Sequence, residues 1–316
     1  MTQRVAAAPL PQPAKRRRSV DLPQTGWVKA RERLAWLLVA PSVLVVALVA
    51  LYPLFQSVRL SFTNARFGSA RPVQYVGVDN YVRLFNDNTF ISALGHTVTF
   101  TVVSVAIETV LGIVIALIIN SNFTGRGVVR TSMLIPWAIP TVVSSQLWRF
   151  MYNQDNGVIN DVLVNRLGIL SSPVAWIANA TTSLPAIIAV DVWKTTPFMA
   201  LLLLAGLQII PGDVYEASTI DGANKWQQFW QITLPLLKPA LLVALIFRTL
   251  DAFRVFDVVF VLKGAALDTI TLAIYARQTM IDEQWLGRGS AASVVIFLCI
   301  ALLVIVYSRL VRVEET

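Results

Sequence analysis

Residues Pro211–Pro235 read PGDVYEASTIDGANKWQQFWQITLP and lie between two long apolar runs. The first half predicts a short helix with Asp213 as its N-cap and Glu216, three residues later, completing a capping box. Gly222 is predicted to end this helix, because glycine reaches backbone angles that other residues avoid. A plain connection between two apolar runs needs only a few residues, so helices here favour a docking surface for another protein.

The second half of this loop predicts another short helix. Asn224 and Gln227 repeat the capping pattern. Pro235 and Pro239 are predicted to end the unit before the next apolar run. Helical spacing places four side chains on one face of this helix, namely Trp226, Phe229, Trp230 and Thr233.

The composition on both sides of the loop indicates a membrane protein. Hydrophobic residues make up 56% of the 316-residue chain and charged residues 14%, whereas soluble domains contain about 25% charged residues. A membrane-spanning helix needs about 20 mostly apolar residues. Six spans are predicted, at Leu34–Phe55, Ala93–Ile119, Ser132–Tyr152, Leu184–Ala205, Pro239–Leu262 and Ala291–Tyr307. The expected fold is an all-α integral membrane protein, with a transmembrane domain at residues 34–308 that contains the loop at about residues 207–238.

Both termini are predicted to be cytoplasmic tails, at residues 1–33 and 309–316. The first tail is basic and proline-rich, so we expect it to be disordered and to hold the N-terminus inside by the positive-inside rule. Outside this tail, the predicted outer segments carry more basic residues than the inner ones, so the orientation depends on the tail. Lys15–Arg18 also suits a nucleic-acid patch, but an orienting role is the simpler interpretation and no nucleic-acid partner is expected.

The chain offers little for covalent or metal chemistry. Cys299 is its single cysteine and His96 its single histidine, which excludes an internal disulfide and disfavours a zinc site. No Gly-x-x-x-x-Gly-Lys-Ser/Thr phosphate loop is present, so the chain is not expected to bind ATP in that way. We therefore predict no metal, no cofactor and no enzyme activity in this chain.

The loop resembles the cytoplasmic "EAA" loop of ABC importer permeases. In that family the loop is the coupling helix, which sits in a cleft of the ATPase subunit. Ser218 stands where the family has its second alanine, a change between small residues. An ordinary helical hairpin that matches by chance is the alternative. The matching residues are Glu216, Ala217, Ser218, Asp221, Gly222, Ala223, Phe229, Ile232, Leu234 and Pro235.

The resemblance extends to the "F-type" sugar permeases over most of the chain. Two departures concern the outer gate and the substrate: Lys263–Ala266 stands where a Gly-Gly-Gly-Pro turn is frequent, and His96 where asparagine is frequent. The similar segments are Ala40–Pro53, Leu60–Phe62, Gly77–Tyr81 with Phe85, Ile135–Pro140, Trp193–Phe198 and Gly206–Pro211.

This resemblance implies a multi-pass permease of the bacterial inner membrane that imports a sugar or sugar-like solute. The implied partners are a different permease subunit, a cytoplasmic ATPase dimer that binds ATP and Mg²⁺, an external substrate-binding protein and membrane lipid. The Glu216–Gly222 helix would transmit the ATPase's movement.

Ionisable residues inside the predicted spans suggest where a solute passes, because each costs about 2.5–3.5 kcal/mol on insertion scales. The functional interpretation is a polar lining of a translocation path, with aromatic rings against the apolar face of a sugar. The alternative is that the charges neutralise one another for packing, and this applies most to Glu108. The predicted path residues are Asp191, Trp193, Lys194, Asp251, Phe253 and Asp257.

The same residues leave two other classes of function to compare with an importer. An ion-gradient-driven secondary transporter or channel would use the charges in the spans but leaves the docking loop unexplained. A membrane-embedded enzyme would need a nucleophile with a base, or a metal cluster, and the sequence indicates neither.

Overall fold

The structure is a computed structural model that describes the backbone of residues 26–313. The described chain is helical, apart from one isolated antiparallel bridge between Thr63 and Tyr75. Its α-helices are α1 Gly26–Val46, α2 Tyr52–Ser61, α3 Asp79–Phe85, α4 Asn88–Asn120, α5 Arg126–Met133, α6 Ile135–Ala138, α7 Thr141–Met151, α8 Val158–Asn160, α9 Ala180–Leu207, α10 Gly212–Ile220, α11 Lys225–Gln228, α12 Leu234–Phe253, α13 Asp257–Lys263, α14 Leu272–Arg277 and α15 Leu286–Val313. Segments of π-helix occupy Ala47–Leu51, Asp161–Arg166, Phe229–Thr233 and Gln278–Asp282.

Five of the six predicted spans coincide with helical stretches that are long and apolar enough to cross a membrane. Within residues 26–313 these stretches are Arg31–Ser61, Asn88–Asn120, Ala180–Leu207, Lys225–Lys263 and Leu286–Arg309. The fourth of them includes the loop's second helix at one end and is interrupted near the other.

The predicted third span, Ser132–Tyr152, is not a single helix. Leu134 and then Ile139–Pro140 interrupt it, so that it consists of the end of α5, the four-residue α6 and α7. Pro140 has no backbone N–H and holds the preceding residue in extended geometry, as Ile139 shows with φ −70° and ψ 133°. The residues on both sides of the break are mostly apolar, so hydropathy alone predicted one continuous span.

The predicted fifth span, Pro239–Leu262, is also interrupted. Helix α12 ends at Phe253, and α13 begins at Asp257. The Val255 carbonyl inside the break accepts a hydrogen bond of 3.0 Å from the Thr271 hydroxyl. A backbone group freed from helical pairing inside a membrane needs such a partner, since lipid offers none.

The predicted N-terminal tail, residues 1–33, overlaps the first helix. Helix α1 begins at Gly26, because Lys, Ala, Arg and Glu follow Pro23 and favour helix. Residues 1–25, with the basic run Lys15–Arg18, lie outside the described residues. The C-terminal helix likewise continues to Val313, into the predicted tail at 309–316.

The chain divides into two compact units at Leu54 and Phe55. In the first unit, the apolar side chains from Leu34 onward are mostly exposed, and none between Arg31 and Leu54 is buried. A helix with apolar residues on all sides is covered by lipid or by other membrane helices.

The second unit is organised around α4, α9 and α12, which cross at two glycines. A Cβ atom on Gly112 of α4 would lie 2.6 Å from the Met199 Cγ of α9, and one on Gly206 would lie 2.3 Å from the Ala240 Cβ of α12. Small residues at such crossings let helix backbones approach closely in a membrane. The buried side chains around the crossings include Met199, Leu203, Leu237 and Ala244.

We predict that Gly206→Ala lowers the melting temperature of the detergent-solubilised protein. The added methyl group must displace α12, and overpacking of this kind costs about 1–3 kcal/mol. Gly95→Ala is the matched control, because it is also helical and a Cβ there meets no atom within 4 Å. Equal melting temperatures for the two variants would show that the α9–α12 contact is looser than described.

Candidate functional site

The loop between α9 and α12 folds as a helical hairpin, as predicted. Helix α10 spans Gly212–Ile220, and Gly222 takes the left-handed conformation with φ +82°. The predicted Asp213 cap is wrong: the N-cap position is Pro211, two residues earlier, and no side chain caps the helix. Asp213 lies instead in the first turn, where its charge favours the helix dipole.

The second half of the hairpin has the predicted capping box. The Gln227 backbone N–H donates to Asn224 Oδ1 at 2.9 Å, and the Asn224 backbone N–H donates to Gln227 Oε1 at 2.8 Å. The prediction that Pro235 and Pro239 end the unit is wrong. Both prolines lie within α12, with Pro235 in its first turn, and the π-helical segment joins α11 to α12 directly.

Ser218 ties the two halves of the hairpin together. Its hydroxyl donates to the Tyr215 carbonyl at 2.8 Å and accepts from Gln228 Nε2 at 2.9 Å. The Tyr215 hydroxyl also lies 3.0 Å from Thr233 Oγ1. Ser218 is 7% exposed, so this serine is an internal contact of the hairpin, whereas the sequence suggested only a small residue on its surface.

The remaining loop residues form a surface. Glu216, Ala217, Asp221 and Gly222 are exposed and Ala223 is half-buried. Ile220 belongs to the same surface and is 86% exposed. The hairpin therefore presents acidic and apolar groups together on an exposed face.

A buried ion cluster joins α4, α9 and α12. Arg248 donates through Nε and Nη2 to both carboxylate oxygens of Glu108, and through Nη2 to Asp191. Its Nη1 reaches Asp251 Oδ2 at 3.2 Å. Glu108 is 0% and Arg248 2% exposed, so these two residues do neutralise each other inside the protein, which was the packing alternative for Glu108.

Lys194 provides hydrogen-bond donors for backbone carbonyls at the break in the third predicted span. Its Nζ donates to the Ile139 carbonyl at 2.5 Å and to the Trp137 carbonyl at 3.5 Å. These carbonyls belong to the Ile135–Pro140 segment, where proline prevents regular helical pairing. An ammonium group supplies several donors at once, so one side chain serves both carbonyls.

These groups line one cavity of about 590 Å³. Four predicted path residues lie on its wall, namely Asp191, Lys194, Asp251 and Asp257. Two others do not: Phe253 is buried and lines a separate, apolar cavity, and Trp193 packs against Trp148 with ring centroids 5.5 Å apart. The wall also includes Trp137, Thr195, Arg248 and Arg254.

These additional wall residues carried a partial signal in the sequence. Arg248 and Arg254 alternate with Asp251 and Asp257 at intervals of three, a spacing that makes successive members neighbours on a helix. The partner of Arg248 on α4 is 140 residues away, and no local pattern reveals it. Trp137 enters the cavity only because the third span is broken.

The family described as "Binding-protein-dependent transport system inner membrane component" matches residues 108–315. The matched region contains the hairpin and the whole cavity wall. The chain belongs to this family and is a membrane-embedded permease component of an ABC import system.

Relatives and a solved structure agree with this assignment. The trehalose/maltose transport system permease protein MalF of Thermococcus litoralis is 43% identical over 294 residues, covering 91% of this chain and 97% of the relative. The trehalose transport system permease protein SugA of Mycobacterium tuberculosis is 39% identical over 287 residues, covering 91% of each. A solved bacterial alginate ABC transporter, in complex with a pentasaccharide-bound periplasmic protein, has the same fold with a TM-score of 0.79 at 24% identity, covering 92% of this chain and 98% of that one.

We predict that Lys194→Met destabilises the protein. The substitution leaves the Ile139 and Trp137 carbonyls without their donor, and a buried unsatisfied polar group costs about 1–3 kcal/mol. The measurement is the melting temperature of the purified complex. Lys225→Met is the control, because it removes an ammonium group that contacts only the exposed hairpin. The interpretation fails if the two variants melt together.

Proposed function

We propose that this permease carries a sugar or sugar-like solute through the cavity, with Asp191, Lys194, Asp251 and Asp257 on the path. The observation that carries the proposal is the polar cavity itself, which lies between membrane helices and is connected to an exposed docking hairpin. The named substrates of the two relatives, trehalose and maltose, support a saccharide.

The chemistry of the wall suits a polyhydroxylated solute. Trp137 stacks on Phe198 with ring centroids 5.9 Å apart and offers an apolar surface to a sugar ring. The carboxylates accept from hydroxyl groups, and the lysine and arginines donate to them. A volume of about 590 Å³ falls within the range of about 300–1,000 Å³ for small-molecule sites. Trp193 and Phe253 have no place in this proposal, because neither lines the cavity.

We further propose that a separate cytoplasmic ATPase, which binds ATP and Mg²⁺, drives transport through the hairpin. The exposed Glu216, Ala217, Ile220 and Gly222 would dock into the ATPase, and Ser218 would keep the hairpin rigid from inside. In this arrangement both termini are cytoplasmic, and the broken α5–α7 segment completes six spans in a bacterial inner membrane. A different permease subunit and an external binding protein complete the complex, as the periplasmic protein does in the alginate transporter.

The path assignment predicts that Asp251→Asn reduces solute uptake while the amount of assembled complex stays normal. Asp251 is half-exposed on the cavity wall and accepts from Arg248 and Arg254. A contact to the passing solute is worth about 0.5–1.5 kcal/mol, or a fall in uptake of roughly two- to twelvefold. The measurements are uptake into proteoliposomes and complex yield.

Asp79→Asn is the matched control for this substitution. Asp79 is also an exposed helical aspartate paired with an arginine, Arg83, at 2.7 Å, but it does not line the cavity. A parallel loss of yield and uptake in Asp251→Asn would assign that residue to packing.

The docking assignment predicts that Gly222→Leu separates this chain from its ATPase. Leucine at φ +82° strains the backbone, and its side chain would press into the docking groove. We expect loss of ATPase co-purification and of uptake, with normal membrane insertion. Gly125→Leu imposes the same strain at φ +87° in a different loop and should retain the ATPase. Wild-type uptake by Gly222→Leu would remove the hairpin from the coupling mechanism.

A further inference from the structure

Glu108 does not line the cavity but contacts two residues that do. Its side chain is 0% exposed and does not line the cavity. Its carboxylate accepts from Nε and Nη2 of Arg248 and from the Thr195 hydroxyl, the latter at 2.8 Å. Both donors belong to residues on the cavity wall. Glu108 is thus one layer behind the wall and directly contacts two of its polar groups.

The charges on the wall are balanced. Three are positive and three negative, namely Lys194, Arg248, Arg254, Asp191, Asp251 and Asp257. Glu108 adds one negative charge from behind, against the most buried cation of the set, Arg248. A guanidinium group does not lose its proton in proteins, so removing Glu108 makes the net charge at this position one unit more positive.

This charge is poorly screened where it lies. Interactions between buried charges are stronger than those in water, because the surrounding protein polarises less and salt screens them less. One unit of charge behind the wall therefore changes the potential inside the cavity. Packing three helices together does not by itself require ions, since apolar side chains of similar volume do so at least as well.

We propose that Glu108 is a positioning residue that determines specificity: its negative charge, added behind a balanced wall, makes the cavity disfavour anions and so matches it to an uncharged polyhydroxylated solute. Loss of this carboxylate would leave the wall charges balanced and remove this discrimination against anionic solutes. The inference rests on the proposed function in one respect, that the cavity is the solute's path.

The test measures the potential in the cavity directly, with small thiol reagents of opposite charge. The sole cysteine is replaced by Cys299→Ala, and Ala138→Cys or Thr141→Cys places a thiol on the cavity wall. The assembled complex is treated with a sulfonate-bearing and with a trimethylammonium-bearing methanethiosulfonate, and the modification rate of this chain is followed by mass spectrometry. The ratio of the anionic to the cationic rate reports the local potential.

Glu108→Gln should raise this ratio roughly tenfold, since the two reagents respond to the added charge in opposite directions. Glu108→Asp retains the charge and should leave the ratio close to wild type. Arg248→Gln should lower the ratio, and adding Glu108→Gln to Arg248→Gln should raise it again. If Glu108→Gln alone does not assemble, comparing Arg248→Gln with the double variant still tests the inference, because the double variant buries no arginine without a partner.

A purely structural Glu108 gives a different result. The variants would then change the yield of the complex but leave the rate ratio unaltered, and the inference would be overturned while the proposed path stood. If neither introduced cysteine reacts with either reagent, the cavity is closed to solutes; the proposed path then fails, and this inference with it.

Discussion

Arg248 is the side chain on which the membrane bundle depends. The guanidinium of Arg248 is only 2% exposed, so little water can solvate it and the protein must supply acceptors for its donors. Glu108 from α4 and Asp191 from α9 do so, while Arg248 itself belongs to α12. The three helices are therefore joined at one point by charge, in addition to the close glycine crossings at Gly112 and Gly206. Removing Arg248 would leave the buried carboxylates of Glu108 and Asp191 without their shared cation, and an unpaired buried charge costs about 3–5 kcal/mol.

The same requirement accounts for the two interrupted spans. At each break a carbonyl loses its helical partner and a side chain from a neighbouring segment donates to it: Lys194 to Ile139, and Thr271 to Val255. Irregular backbone inside a membrane protein is tolerated where it is buried or lines a cavity. Both breaks lie on the wall of the 590 Å³ cavity. The interruptions are therefore what opens a polar space between helices that would otherwise pack closely.

The sequence predicted the features that depend on local pattern. Apolar runs located five helices, Gly222 located the hinge, and the Asn224–Gln227 spacing located a cap. The prediction from sequence failed where the structure at one position depends on residues that are far away along the chain. The Ile135–Pro140 break is apolar throughout and looks like span, and the contact of Arg248 with Glu108 crosses 140 residues. Ser218 lies between these two cases. The sequence indicated that a small residue is needed at this position, but it did not indicate the hydrogen bond from Gln228.

The helices that carry the cavity wall also connect it to the hairpin. Helix α9 carries Asp191 and Lys194 on the cavity wall and leads directly into the hairpin, while α12 returns from it and carries Arg248. No irregular segment separates α11 from Arg248: α11, the π-helical turn and α12 follow one another without a gap. At 1.5 Å per residue, the helix transmits a displacement at Gln228 over about 30 Å to Arg248. Because Arg248 is bound to Glu108 and Asp191, α4 and α9 must follow α12 or the cluster must break. The cluster thus connects the hairpin, through α12, to the other two helices that carry the buried ions, while the broken α5–α7 segment is held to α9 by the ammonium group of Lys194 and by the Trp137–Phe198 and Trp148–Trp193 ring contacts.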